Sequence, residues 1–207
     1  MADNNKTRAL VLIADGTEEM EAVITIDVLV RAGFEVTVAN TNPSTSTSES
    51  VRCSRGVRIV PDTHLSALPL PNPQDPSSYY TVLFVPGGGP GAQSMAGSTL
   101  VHQWVHAQVS KSGAILAAVC AGPTVIQAAG VAKGAQVTSH PSVRGQLEGY
   151  FQYRDDVSGK AIVVVDEAHE LLTSRGPGST FELALAIVER VKGKELMEQV
   201  RAPMMFP

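Results

Sequence analysis

The chain has 207 residues, 43% hydrophobic and 17% charged, with 16 Lys+Arg against 20 Asp+Glu and a net charge of -4. This composition excludes disorder over the whole length, and a chain of this size buries about 70% of its unfolded surface without staples. The acidic balance gives no electrostatic case for nucleic acid or an anionic membrane. No uncharged apolar run reaches the length of a membrane span, and the polar start MADNNKTR has no secretory h-region. Two cysteines, Cys53 and Cys120, are too few for a disulfide framework and read as free thiols of a reducing compartment.

The first apolar run, Ala9 to Ala14, lacks helical spacing and ends at the turn signal Asp15-Gly16, which predicts a buried parallel strand. Thr17 offers an N-cap, and Val23, Ile26 and Val30 follow at helical spacing up to Gly33. Residues 35–39 form a second strand, so the chain opens β-α-β with parallel strands. Residues 1–7 are expected to form a flexible N-terminus. The Ser/Thr-rich stretch 40–50 and the stretch 69–78, with four prolines, are expected to be surface loops.

Strands are predicted at 80–85 and 114–119, helices at 98–109 and 124–129, a short β-like stretch at 136–139, strands at 161–165 and 170–174, and a helix at 181–191. Strands alternating with helices at this spacing predict one α/β domain over 1–207, a doubly wound, flavodoxin-like, mostly parallel sheet with helices on both faces.

Cys120 ends a fully apolar strand and is followed by Ala121, Gly122 and Pro123. Small residues there permit the sharp strand-to-helix turn of a nucleophile elbow, with a helix N-terminus lowering the thiol pKa. A buried core cysteine is the other reading. PGGGPG at 86–91 serves equally as half of an oxyanion hole or as a plain turn. Glu18, Glu19 and Glu21 suit a solvated first helical turn, although one of them could point toward the thiol. His140, before Pro141 at a strand end, could hold a base near the thiol. His102 and His106 stand i, i+4, but no third metal ligand is near in sequence, so a solvated face is favoured.

ADGTEEMEAV at 14–23, VPGGGPGAQ at 85–93, AAVCAGPT at 117–124 and LTSRGPGSTFELALAIVE at 172–189 together resemble the parkinsonism-associated deglycase family. That family is the eukaryotic glyoxalase III-like branch of the PfpI-like, class I glutamine amidotransferase-like superfamily. CSRGV at 53–57 and VTSHP at 137–141 agree with it. The resemblance implies a cofactor-independent enzyme, without metal, that converts 2-oxoaldehydes such as methylglyoxal to lactate without glutathione, or removes early glycation adducts from proteins. It implies Cys120 as nucleophile, Glu21 as the carboxyl against its sulfur, His140 as the nearby imidazole, and the N–H groups of Gly88 and Ala121 as oxyanion hole. Arg31 and Arg55 would lie near the site entrance and Cys53 near a homodimer interface built partly on the first helix. A cytoplasmic location follows, with nuclear and mitochondrial pools open. The alternative is a redox sensor or redox-regulated chaperone that reports through oxidation of Cys120.

Three departures from the family pattern stand out. The 69–78 segment is longer than the usual connection, Gly89-Pro90 replaces bulkier residues, and Val60 stands where some relatives have a third cysteine. Ser142 occupies the position where hydrolytic amidotransferases keep an acid, which counts against a Cys-His-Glu triad.

Overall fold

The computed structural model describes residues 7–43, 49–155 and 163–206. In chain order the first half contains β1 (Arg8–Ile13), α1 (Glu19–Arg31), β2 (Glu35–Asn40), β3 (Val51–Arg52), β4 (Arg58–Ile59), β5 (Thr63–His64), β6 (Val82–Val85), α2 (Gly89–Ala96) and α3 (Thr99–Ser110). The second half contains β7 (Ile115–Val119), α4 (Pro123–Ala128), β8 (Gln136–Val137), α5 (Arg144–Leu147), β9 (Gln152–Tyr153), β10 (Val163–Asp166), β11 (Leu171–Ser174), α6 (Thr180–Lys192) and α7 (Lys194–Arg201). Seven strands form one sheet in the order β10-β11-β7-β6-β1-β2-β5. All its pairings are parallel except β10 with β11.

The continuous apolar runs of the central strands follow from helices covering both faces. Along β1, Leu10 and Leu12 face one core with Trp104, Leu83 and Leu116. Ala9, Val11 and Ile13 face the other, where α1 and α6 pack with Leu29, Leu183 and Ile187. Trp104, Phe84 and the leucines of β1 are fully enclosed. This packing fixes the register of the strands, so the carboxyl ends of β1, β6, β7 and β11 open on the same edge of the sheet.

Several sequence expectations are corrected. Helix α1 starts at Glu19 with Glu18 as its N-cap, while Thr17 Oγ1 accepts the Ala14 N–H at 2.9 Å and closes the turn after β1. Its core face is Ala22, Thr25, Val28 and Leu29; Val23 and Val30 are about half exposed. Apolar residues ring this helix, so periodicity alone could not choose the face. The second half of the 86–91 run, expected to be a loop or turn, opens the helix α2 (Gly89–Ala96), which Pro90 allows because it sits in the first turn, where a missing N–H costs nothing. Helix α7 was not expected, since Met197 and Val200 are its only buried residues.

The strand expected at 161–165 runs from Val163 to Asp166, and residues 161–162 lie outside the described residues. Residues 1–6 and 44–48 of the expected N-terminal and loop segments also lie outside them. Thr7 is tied to the sheet, its carbonyl accepting the Glu35 N–H at 2.9 Å. No helix among the described residues is long and apolar enough to cross a membrane.

Candidate active site

Cys120 follows β7 directly and has φ of 61°, a left-handed conformation rare for a side chain with Cβ and costing about 1–3 kcal/mol. Surrounding bonds hold it there. Its N–H donates to the Ser174 carbonyl at 3.0 Å, and its carbonyl accepts the His140 N–H at 2.9 Å. Three segments therefore converge on one residue, and the turn presents a half-buried thiol at the sheet edge.

The second wall is Gly87-Gly88. A Cβ on Gly87 would lie 2.6 Å from Cys120 Cβ and 2.8 Å from Glu21 Oε2. Gly88 has φ of +85°, and a Cβ there would lie 2.2 Å from the Gly16 carbonyl oxygen. Both positions need glycine for close backbone approach, which accounts for two glycines of the PGGGPG run. The approach aims the N–H groups of Gly88 and Ala121 at the Cys120 sulfur, where they favour the thiolate.

Glu21 completes the cluster. It is fully buried, and its Oε2 accepts the Gly87 N–H at 2.6 Å. Oε1 makes no directed hydrogen bond among the described residues. Burial pushes this carboxyl up to about 7, against the lowering effect of the Gly87 N–H and the Cys120 thiol. Burial, the Glu21 charge and the Glu21 hydrogen bond push the Cys120 thiol up to about 12. The depressed thiol pKa expected from sequence is thus absent while Glu21 is ionised: desolvation outweighs the N-terminus of the short α4. Protonating Glu21 removes the negative charge beside the sulfur and leaves the two N–H donors in place. Thiolate formation and Glu21 protonation are one coupled event.

Glu18 and Glu19 do not form a solvated turn; both are buried. Glu18 Oε2 caps α1 by accepting the Glu21 N–H at 2.9 Å. Glu19 accepts the Ser54 hydroxyl at 2.9 Å and the Arg55 N–H at 2.9 Å, pinning the 53–57 turn to the first turn of α1. Burial works to raise its pKa, but these bonds prevail and hold it below the usual range. Cys53 is buried in that turn; burial and the charges of Glu19, Glu18 and Asp15 push its thiol up to about 11.

Within the chain Arg55 meets the cluster through its backbone, and its side chain is exposed. Arg31 lies ten residues beyond Glu21 on α1, about 15 Å along the axis, and pairs with Asp27 at 2.6 Å. The chain alone does not bring it to the thiol. His102 Nε2 donates to the Ala96 carbonyl at 2.8 Å, which explains that histidine without a metal.

His140 stands above the elbow with an exposed ring bordering a 320 Å³ cleft shared with Arg175 and Gly176. The Ser142 N–H donates to its Nδ1 at 3.2 Å, and the Ser142 hydroxyl lies 2.8 Å from the same nitrogen. A backbone N–H can only donate, so Nδ1 keeps its lone pair and the neutral ring carries its proton on Nε2. This polarity is the reverse of a triad in which an acid accepts from Nδ1. Sequence reasoning missed the role of Ser142 as donor, although the His-x-Ser spacing was visible.

Residues 7–190 match the DJ-1/PfpI family model. The chain belongs to the DJ-1/PfpI family. It is 44% identical over 192 residues to Protein dj-1beta of Drosophila melanogaster, covering 93% of each chain. It is 36% identical to Glutathione-independent glyoxalase DJR-1.2 of Caenorhabditis elegans, covering 96% of each. The crystal structure of Drosophila melanogaster DJ-1beta superposes with a TM-score of 0.85 at 42% identity, over 98% of this chain and 99% of that one. The seven-stranded, mostly parallel sheet with its flanking helices is the DJ-1 fold.

Two outcomes follow for this site. Between pH 4.5 and 7 the folded state keeps a proton on Glu21 that the unfolded chain has lost, so this residue lowers stability as pH rises through that window. Glu21→Gln should match the parent protein near pH 5 and exceed it at pH 8, by about 3 kcal/mol at most; urea denaturation at the two pH values checks this. For His140, nitrogen-15 NMR of the neutral ring should report a protonated Nε2 and an unprotonated Nδ1.

Proposed function

We propose that this protein is a glutathione-independent glyoxalase that converts methylglyoxal and related 2-oxoaldehydes to 2-hydroxy acids. The observation that carries the proposal is the Cys120 thiol, on strained backbone, packed against the buried Glu21 carboxyl, which burial pushes up to about 7, where it can take and give a proton. The naming of the Caenorhabditis elegans relative supports the substrate class.

The Cys120 sulfur adds to the aldehyde carbon as its proton passes through the ionised Glu21 to the aldehyde oxygen, giving a hemithioacetal and leaving Glu21 as a carboxylate. The Gly88 and Ala121 N–H groups, which face the sulfur at rest, stabilise oxygen charge as it develops. Glu21 then moves a proton from the aldehyde carbon to the neighbouring carbon through an enediol. The first carbon is oxidised to a thioester while the second is reduced to an alcohol, so no external oxidant or cofactor is needed. Water cleaves the thioester and releases lactate with the free thiol. His140 donates Nε2–H to a substrate oxygen. Attack of the same sulfur on an early aminocarbinol adduct, with the C–N bond breaking and the protein amine leaving with the thiol proton, gives the same hemithioacetal, the deglycase half of the proposal. The enzyme would work in the cytoplasm, where thiols stay reduced.

Cys120→Ser should abolish lactate formation from methylglyoxal in the absence of glutathione, whereas Cys53→Ser should retain most of it. Inactivity confined to Cys53→Ser would show that the nucleophile is misassigned. Glu21→Gln should keep an alkylatable thiol yet lose turnover by about a hundredfold or more, the scale of general acid–base catalysis. Near-normal turnover in that variant would remove the proton-carrier role and favour a thiol sensor.

A homodimer is part of the proposal. Met20, Val23 and Val30, each about half exposed, form an apolar stripe on α1 opposite its core face. Light scattering at micromolar concentration should give twice the 21.8 kDa chain mass. A monomer mass across that range would remove the dimer from the proposal.

A further inference from the structure

A cleft of about 670 Å³ lies away from Cys120. It opens at the other edge of the sheet, where β1, β2, β6 and β7 begin. One wall is the end of the proline-rich excursion, Asp75 to Tyr80; the other is the turn after α3, Lys111 to Ala114. The Asp75 to Tyr80 segment packs back on the sheet edge and closes one side of the cleft.

Two cations, Arg8 and Lys111, and two acids, Asp75 and Glu35, line it. The Arg8 guanidinium lies 4.2 Å from the Tyr80 ring centroid, and its Nη1 donates to the Ser77 carbonyl at 2.9 Å. Lys111 Nζ lies 5.8 Å from the Tyr79 ring centroid. Neither cation pairs with a carboxylate among the described residues. Of the two acids that line the cleft, Asp75 is committed to capping, its Oδ1 accepting the Ser77 N–H at 3.0 Å and hydroxyl at 2.6 Å; Glu35 has a partner of its own. The turn is closed by Ala114 N–H to the Lys111 carbonyl at 3.1 Å, and the N–H groups of Ser112 and Gly113 have no protein partner among the described residues. Two cations held over aromatic faces, with free N–H donors beside them, form a receptor for an acidic group joined to a planar ring.

We propose that this cleft binds a small organic anion bearing a planar ring, with its acidic group between Arg8 and Lys111 and its ring against Tyr79. The site lies at the opposite edge of the sheet from Cys120 and does not depend on the glyoxalase proposal.

The test is NMR titration of the labelled full chain with 5′-AMP, adenosine and inorganic phosphate in parallel. With 5′-AMP the amides of Ser77, Thr81 and Gly113 should shift saturably, while those of Gly88 and Ala121 stay in place. Adenosine and phosphate should each bind about tenfold or more weakly, and added salt should weaken 5′-AMP binding. Lys111→Gln should weaken it about tenfold with methylglyoxal turnover unchanged. Arg8→Gln should do likewise, but Arg8 also packs on Tyr80, so Lys111, whose side chain makes no hydrogen bond among the described residues, is the deciding variant. Absence of a saturable shift up to about 10 mM, a range that detects even feeble sites, overturns the proposal. Equal binding of adenosine overturns it because the anion is not read, and equal binding of phosphate overturns it because the ring is not.

Discussion

Glu21 and Cys120 are two acids held where water cannot stabilise the charge of both, with hydrogen bonds enough for one negative charge between them. The rest of the edge is arranged around that pair. Gly87 must lack a side chain because both residues occupy the space its Cβ would need. Gly88 must reach φ of +85° to turn its N–H toward the sulfur. Cys120 must sit at φ of 61°, a conformation unstable in isolation, and is held by bonds to Ser174 and His140 from two further segments. The strain is local, while the structure that offsets it comes from four strands and both cores.

The acids of α1 show how a short motif is divided among tasks. Glu18, Glu19 and Glu21 are buried within one turn, a costly arrangement unless each finds donors. Glu18 takes the N–H of Glu21, Glu19 takes the 53–57 turn, and Glu21 takes Gly87 and the thiol. The helix N-terminus lowers the cost of all three. The capping bond also fixes the backbone of Glu21 itself, so the cap and the site are mechanically one unit.

What was legible in the sequence was what local chemistry encodes. Apolar runs without helical spacing marked the buried strands, and the small residues after Cys120 marked the elbow. The hairpin of β10 and β11 showed as two β-rich runs around a turn. The faces of α1 were not legible, because Met20, Val23 and Val30 share the exposed side with Asp27 and Arg31 while the polar Thr25 lies on the buried one. The work of Glu19 was hidden because its partners lie more than thirty residues away in the 53–57 turn. The sequence also suggested a thiol activated by a helix N-terminus, but the extent to which burial opposes that effect is set by tertiary packing.

The same limit appears in a pair of histidines. His64-Leu65-Ser66 and His140-Pro141-Ser142 build the same local device: the serine N–H donates to Nδ1 at 3.2 Å and the proton is left on Nε2. At His64 that proton is used at once, Nε2 lying 2.6 Å from the Asn42 carbonyl and tying the edge strand β5 to the loop after β2. At His140 the same nitrogen has no protein partner among the described residues, and the ring borders an open cleft above the elbow. One spacing therefore serves structure in one place and leaves a directed donor in the other. Only the fold separates them, because it sets a carbonyl against one ring and an open cleft against the other.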